Sequence, residues 1–258
     1  MADLGKKHSP RRLLPLTLIV FLGLAFVAAT MRHRILCHVN YPGFLDSVLV
    51  RLNSARWSRC EVPLVVVPVD HNLNGAYDAF DIVVGAYREV ERRTRYDSAY
   101  CRGGYPPDGA GACKDVVWRA LREAGYDLKS LIDVDIAAGP SSYPRVGGHP
   151  DPNIDFRRVP NLIVFFTRHA QSLTTAVVPG DPESLVDWQP GDIVIFAAPM
   201  AHVGVVSDRR RLDGVPLVIH NAGPWASESD ILTRWPTPVT HHFRFPKPDS
   251  RDEIRECR

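Results

Sequence analysis

Two rhythms organise the apolar positions of this chain, a helical one in the middle and a strand-like one in the last third. Val116, Val117, Ala120 and Leu121 recur at helical spacing and predict an amphipathic helix beginning close to Cys113, with Gly125 as its C-cap. Ile82, Val83, Ala86, Tyr87 and Val90 share the buried face of a helix expected over 82–93. A further short helix is expected over 128–138, and Leu162, Phe165, Phe166, His169 and Leu173 line one face of a helix over 161–173. From Trp188 the pattern changes. Trp188-Gln-Pro-Gly-Asp-Ile-Val-Ile-Phe196 reads as a Pro-Gly turn feeding a buried strand. Residues 201–208, 215–223 and 240–245 read as three more strands, and 62–69 is an earlier strand-like run. Helices followed by strands predict an α+β fold with N-terminal helices packed on an antiparallel sheet.

The first segment has a different character. Lys6, Lys7, Arg11 and Arg12 precede nineteen uncharged residues, Leu13 to Met31. At roughly 1.5 Å per residue this run nearly spans a bilayer core of about 30 Å. It reads as a signal peptide or a membrane anchor: Val27-Ala-Ala29 offers a small-residue cleavage site, Arg32 and Arg34 are unusual for an exported flank, and the length of the run leans towards an uncleaved anchor. Either reading places the remainder in the cell envelope, periplasmic or extracellular, with membrane contact through the N-terminal segment if it stays uncleaved. The expected organisation is leader 1–31, lead-in 32–69 with a possible short helix over 44–52, catalytic domain 70–246 and polar tail 247–258.

Composition narrows the classes. The 258 residues are 45% hydrophobic, enough for a substantial core, and the formal charge of +2 with no basic patch interleaved with aromatics argues against a nucleic-acid partner. Five cysteines at irregular spacing give neither a zinc-finger pattern nor a disulfide framework. Pairing of Cys37 with Cys60, or of Cys101 with another cysteine, is left open by the sequence.

The candidate chemistry centres on Cys113. At a helix start a thiol meets unpaired backbone N–H groups and the positive end of the helix dipole, which favour thiolate and suit a nucleophile. A buried structural cysteine is the other reading of that segment alone. His202 at the start of one strand and His220 with Asn221 at the end of the next complete a nucleophile–base–orienter set. Adjacent strand residues point to opposite faces, so only one of His220 and Asn221 can orient the base. Tyr105, in the loop before the nucleophile, and Asp115, two residues after it, are candidate substrate-binding residues, with packing and helix N-terminal stabilisation as their simpler roles. His169, His241 and His242 read as structural.

A second candidate site lies at Asp70-His-Asn-Leu-Asn-Gly-Ala-Tyr-Asp-Ala-Phe-Asp81. Asp70, Asn72, Asn74, Asp78 and Asp81 fall at positions one, three, five, nine and twelve of an EF-hand-type loop, with Gly75 at position six. Asp81 replaces the usual closing Glu, as in dockerin-type loops. A structural Ca2+ is one reading and a polar turn capping the next helix is the other; catalysis itself requires no cofactor.

Residues 113–120, 150–162, 188–194, 202–208 and 219–223 together resemble the YijF-like family, a bacterial domain of unknown function, from about Ile82 to Phe245. Lys114 departs from the Thr more usual there. The family is similar in turn to NlpC-type cell-wall peptidases, so the resemblance implies a papain-like fold and a cysteine peptidase or amidase acting on peptidoglycan or another peptide substrate. It also favours His220 as orienter, since related peptidases place His, Asn or Gln there. A transferase or deamidase with the same triad, an inactive cell-wall binding module, and a metal site built from Cys113, His202 and His220 are the rival readings.

Overall fold

The computed structural model describes residues 60–247. Five α-helices and eight strands follow one another in the described residues: α1 (Asp78–Glu91), β1 (Arg95–Tyr96), β2 (Ala110–Gly111), α2 (Cys113–Glu123), α3 (Leu128–Ala138), α4 (Val159–His169), β3 (Gln171–Ser172), α5 (Pro182–Leu185), β4 (Ile193–Phe196), β5 (His202–Arg210), β6 (Pro216–His220), β7 (Ser227–Ser229) and β8 (Val239–Arg244). Six strands form one sheet in the order β3-β8-β4-β5-β6-β7, with every neighbouring pair antiparallel. The architecture is α+β.

Alternation along the strands explains why the sheet is covered on both faces. Ile193, Ile195, Val203, Val205, Ile219 and Phe243 join the helices in one core. Their sequence neighbours Val194, Phe196, Val206 and Val218 pack on the other side with Leu185, Trp188, Ile231 and Leu232. A strand buried on both faces has no polar side, so Ile193–Phe196 reads as an unbroken apolar run.

The helix boundaries follow local chemistry. Helix α2 ends with Gly125 at φ +87°, and Tyr126 N–H reaches back to Leu121 O at 3.0 Å, as a glycine C-terminal motif requires. Asp127 caps α3 by accepting the Ser130 N–H. Helices α1 and α2 cross closely at Gly85, where a Cβ would come 2.8 Å from Ala120 Cα.

Several sequence expectations shift. Helix α1 starts at Asp78, four residues before the apolar face begins. Helix α4 spans Val159–His169, not 161–173, because the chain turns at Ala170 to pair Gln171 and Ser172 with β8. Residues 62–69 form no strand. They run across the domain, with Val62 packed on the second core, Gln189 Nε2 donating to Pro63 O at 2.9 Å and Asp78 N–H donating to Val69 O at 2.8 Å. The leader at 1–31, the possible helix over 44–52 and Cys37 lie outside the described residues. Cys60, Cys101 and Cys113 carry free thiols.

The Pro-Gly turn before β4 is fixed by Asp192. Its carboxylate accepts Gln189 N–H at 2.8 Å, His242 Nε2 at 2.9 Å, and Arg244 Nε and Nη2 at 2.8 Å each. Trp188 stacks on His242 at 3.8 Å between ring centroids. Replacing Asp192 with Ala leaves a part-buried guanidinium and a buried imidazole without their carboxylate. Urea unfolding is expected to show a loss of about 3 kcal/mol, as for other broken buried ion pairs.

Candidate active site

Cys113 begins α2 after two extended residues of β2, which pair in parallel with β1. The helix start is held by side chains rather than by a polar cap, since Ala112 occupies the N-cap position. Asp115 Oδ2 accepts Ala112 N–H at 2.7 Å, and Asp115 Oδ1 accepts Trp118 Nε1–H at 2.9 Å. Arg157 clamps the same carboxylate from Nε at 2.7 Å and Nη2 at 2.9 Å. Both side chains are fully buried. Asp115 is therefore not a binding group for a substrate amine: its two oxygens already take four donors inside the protein. Tyr105 donates its hydroxyl to Asp127 at 2.9 Å and packs its ring on Trp118 and Phe156. Burial and Asp127 push its phenol up to about 12. Tyr105 thus brackets α2 to the start of α3.

A second buried pair secures the approach to the cysteine. Arg119 Nη1 donates to Glu89 Oε2 at 2.7 Å, while its Nη2 reaches the carbonyls of Pro106, Pro107 and Ala110. Arg157 Nη1 donates to Ala99 O at 2.8 Å. The loop between β1 and β2 is thereby tied to α2 by two arginines.

The Cys113 side chain is buried, and burial pushes its thiol up. Lys114 and the backbone N–H groups of Val203 and Lys114 act in the opposite direction. Cys113 shares a core with Val203, the residue that follows His202. The helix-start argument named the backbone N–H groups but not the Lys114 charge, and desolvation outweighs them all, so the resting group is the thiol.

His202 and His220 meet across β5 and β6, with His202 Nε2 2.9 Å from His220 Nδ1 and the two rings nearly perpendicular. Gly204 permits the approach, since a Cβ there would come 2.5 Å from Val218 Cγ1 and 3.4 Å from His220 Cβ. Trp235 stacks on His202 at 4.3 Å and anchors its own Nε1–H on Met200 O at 2.9 Å. His220 Nε2 lies 2.6 Å from Ser229 Oγ. Burial lowers His202 to about 3 and lowers His220 well below its ordinary value, His202 adding to the effect on His220.

Asn221 does not share this contact. Its Nδ2 donates to Thr94 O at 3.0 Å and Gly111 O at 2.8 Å, and its Oδ1 accepts Gly223 N–H. Of the two candidate orienters, His220 is the one bonded to His202, while Asn221 ties the end of β6 to the backbone entering α2. Ser229 and Trp235 escaped the sequence reading. Ser229 sits on a three-residue edge strand without alternation, and Trp235 in an irregular Arg-Trp-Pro segment, so neither carries a periodic signal.

The Asp70–Asp81 loop is a hydrogen-bonded turn. Asp70 accepts the N–H groups of Asn74 at 3.1 Å and Gly75 at 2.9 Å, and Asp81 Oδ2 accepts the amides of Asn72 at 2.9 Å and Asn74 at 3.0 Å. Asp78 departs from the ligand assignment. It is buried at the start of α1, where it accepts His71 N–H and Tyr126 O–H. Among the described residues no group of three or more His, Cys, Asp or Glu side chains is placed to hold a metal ion.

The lowered imidazoles give stability a pH sign. An unfolded chain protonates both histidines near the ordinary 6.5, whereas folded His202 stays neutral down to about 3. Their contribution is complete above pH 6.5 and is lost as pH falls below it. The melting temperature is expected to drop between pH 7.5 and 4.5, and His202→Gln is expected to flatten that slope in a calorimetric series.

Residues 83–245 match the family described as Domain of unknown function (DUF1287). The chain is 39% identical over 209 residues to "Uncharacterized protein YijF" of Escherichia coli strain K12, covering 78% of this chain and 96% of that one. No solved structure matches. The matched segment contains Cys113, His202, His220 and Ser229, and spans more than half of the sequence. This chain belongs to the DUF1287, YijF-like family.

Proposed function

We propose that this protein is an exported cysteine hydrolase of papain-like, NlpC-type architecture that cleaves an amide bond in peptidoglycan peptides. The observation that carries the reading is the buried hydrogen bond between His202 and His220, on the strand whose Val203 shares a core with Cys113. With Nε2 of His202 engaged by His220, Nδ1 is the nitrogen left to act as base.

In the proposed reaction the resting pair is a neutral thiol and a neutral imidazole. A bound carbonyl is attacked by sulfur as the thiol proton moves to His202 Nδ1, so the S–C bond forms and the carbonyl π pair becomes an oxyanion. The Cys113 N–H at the helix start is the proposed oxyanion donor. Collapse breaks the C–N bond, and the leaving amine takes the proton from Nδ1. Water then attacks the thioester as His202 takes its proton, the C–S bond breaks to release the acid, and the proton on His202 returns to the Cys113 sulfur. The choice of peptidoglycan rests on the likeness to NlpC-type enzymes and on the apolar segment after the basic N-terminus, which supports export.

Digestion of purified cell wall with the wild-type protein should release amide-cleaved fragments, identified by mass spectrometry. Cys113→Ala is expected to lower turnover at least about a thousandfold. Unchanged release by the variant would rule out the mechanism, and a product retaining the acyl group on a new amine would assign a transferase.

A structural Ca2+ held by Asp70, Asn72, Asn74 and Asp81 forms part of the proposal, supported by the loop's spacing. Chelation of the purified protein is then expected to lower its melting temperature, with recovery on adding calcium but not magnesium.

A further inference from the structure

Helix α1 closes with a motif that ordinarily calls for glycine. Arg93 N–H donates to Val90 O and Thr94 N–H to Glu89 O, each at 3.0 Å. The left-handed position this creates is filled by Arg93 at φ +52°, where α2 uses Gly125. An L side chain is strained there and glycine would sit more easily. What the arginine gains is placement: its Cζ lies 4.8 Å from the centroid of the Trp225 ring. A guanidinium held over an indole face keeps its N–H donors for another partner. Trp225 also forms an antiparallel bridge with Arg95.

The two guanidiniums lack the acid that most arginines of this domain have. Glu89 is buried and already takes Arg119, Arg92 and the Thr94 hydroxyl. Among the described residues no carboxylate pairs with Arg93 or Arg95, and both side chains are exposed. Beside them Tyr96 is 44% exposed and Trp225 36% exposed. Two unpaired cations and two open aromatic rings therefore share one surface.

That surface adjoins the cysteine. Arg95 stands opposite Ala110 and Tyr96 opposite Gly111 in the β1–β2 pair, and Cys113 follows Gly111 by two residues. Tyr96 N–H donates to Pro224 O at 2.8 Å, so the segment after β6 lies against it. One strand spacing and three residues of chain put Arg95 at most roughly 15 Å from Cys113, the reach of about five extended residues. We propose that Arg93, Arg95, Tyr96 and Trp225 bind an acidic peptide segment flanking the bond presented to Cys113. Its carboxylates pair with the guanidiniums and its methylene stems lie on the rings. A free phosphate would use the cations and leave the rings idle. This deepens the hydrolase reading and rests on Cys113 being the nucleophile.

The test footprints arginines of the full chain with phenylglyoxal and reads each site by mass spectrometry, with exposed Arg145 as internal reference. Acetylated, amidated tetraglutamate is the probe and the matching tetraglutamine its neutral counterpart. Tetraglutamate is expected to slow labelling of Arg93 and Arg95 severalfold and to leave Arg145 unchanged, while tetraglutamine protects neither. In calorimetric titration Arg93→Gly should bind tetraglutamate about fivefold more weakly, the upper range for one exposed charge pair, although glycine suits that backbone. Arg95→Gln gives the same reading without touching the helix end. In cell-wall digestion the two substitutions together should raise KM more than they lower kcat. Equal protection by tetraglutamine or by inorganic phosphate overturns the acidic-peptide assignment. No protection by tetraglutamate overturns the site and leaves the hydrolase reading to the Cys113→Ala digestion. Protection by tetraglutamate with undiminished cell-wall release by Cys113→Ala overturns the role in catalysis, because the surface then binds peptide without serving the cysteine.

Discussion

The bidentate clamp of Arg157 on Asp115 is the contact on which the site's geometry depends. Asp115 is two residues from Cys113, and the same carboxylate also holds the N–H just before it. A helix start without a polar N-cap is free to fray. Here the carboxylate takes over that role from the third helical position and is itself fixed by a fully buried cation. Because the cation also grips Ala99 O, the loop ahead of the cysteine is set by the same interaction.

From that fixed helix start the rest of the site follows by packing. Gly85 lets α1 approach α2, and the apolar face of α2 lies on the sheet where Val203 and Val205 point toward it. Cys113 joins that same core. On β5 the missing side chain at Gly204 makes room for His220 of β6, and Trp235 closes over His202. Burial is thus the common physical setting of thiol and imidazoles alike. It keeps all three neutral at rest, so charge separation is deferred until a substrate is bound, in the proposed reading.

Much of this was legible in the sequence, for identifiable reasons. Helix α2 and strands β4 to β6 carry strong apolar periodicity, and His202 and His220 stand at strand ends where a break in that pattern exposes them to view. What escaped detection was set by tertiary contacts. The length of α4 was cut short because Gln171 and Ser172 pair with β8, which local propensity does not encode. Residues 62–69 look like a strand in composition but find no partner strand. Asp115 resembled a binding group because its ion partner is forty-two residues away. Ser229 had no signal at all, since its contact with His220 arises only when β7 is laid against β6.

Asn221 belongs to the histidine-bearing half of the chain, yet its amide closes on Thr94 and Gly111, 127 and 110 residues earlier. Such distant closures form late, after the more local helices have assembled. During synthesis the thiol segment therefore emerges long before the imidazoles that would activate it. In the proposed reading the chain is chemically quiet while it is being made, and its reactive centre comes into being only when the last strands are laid down.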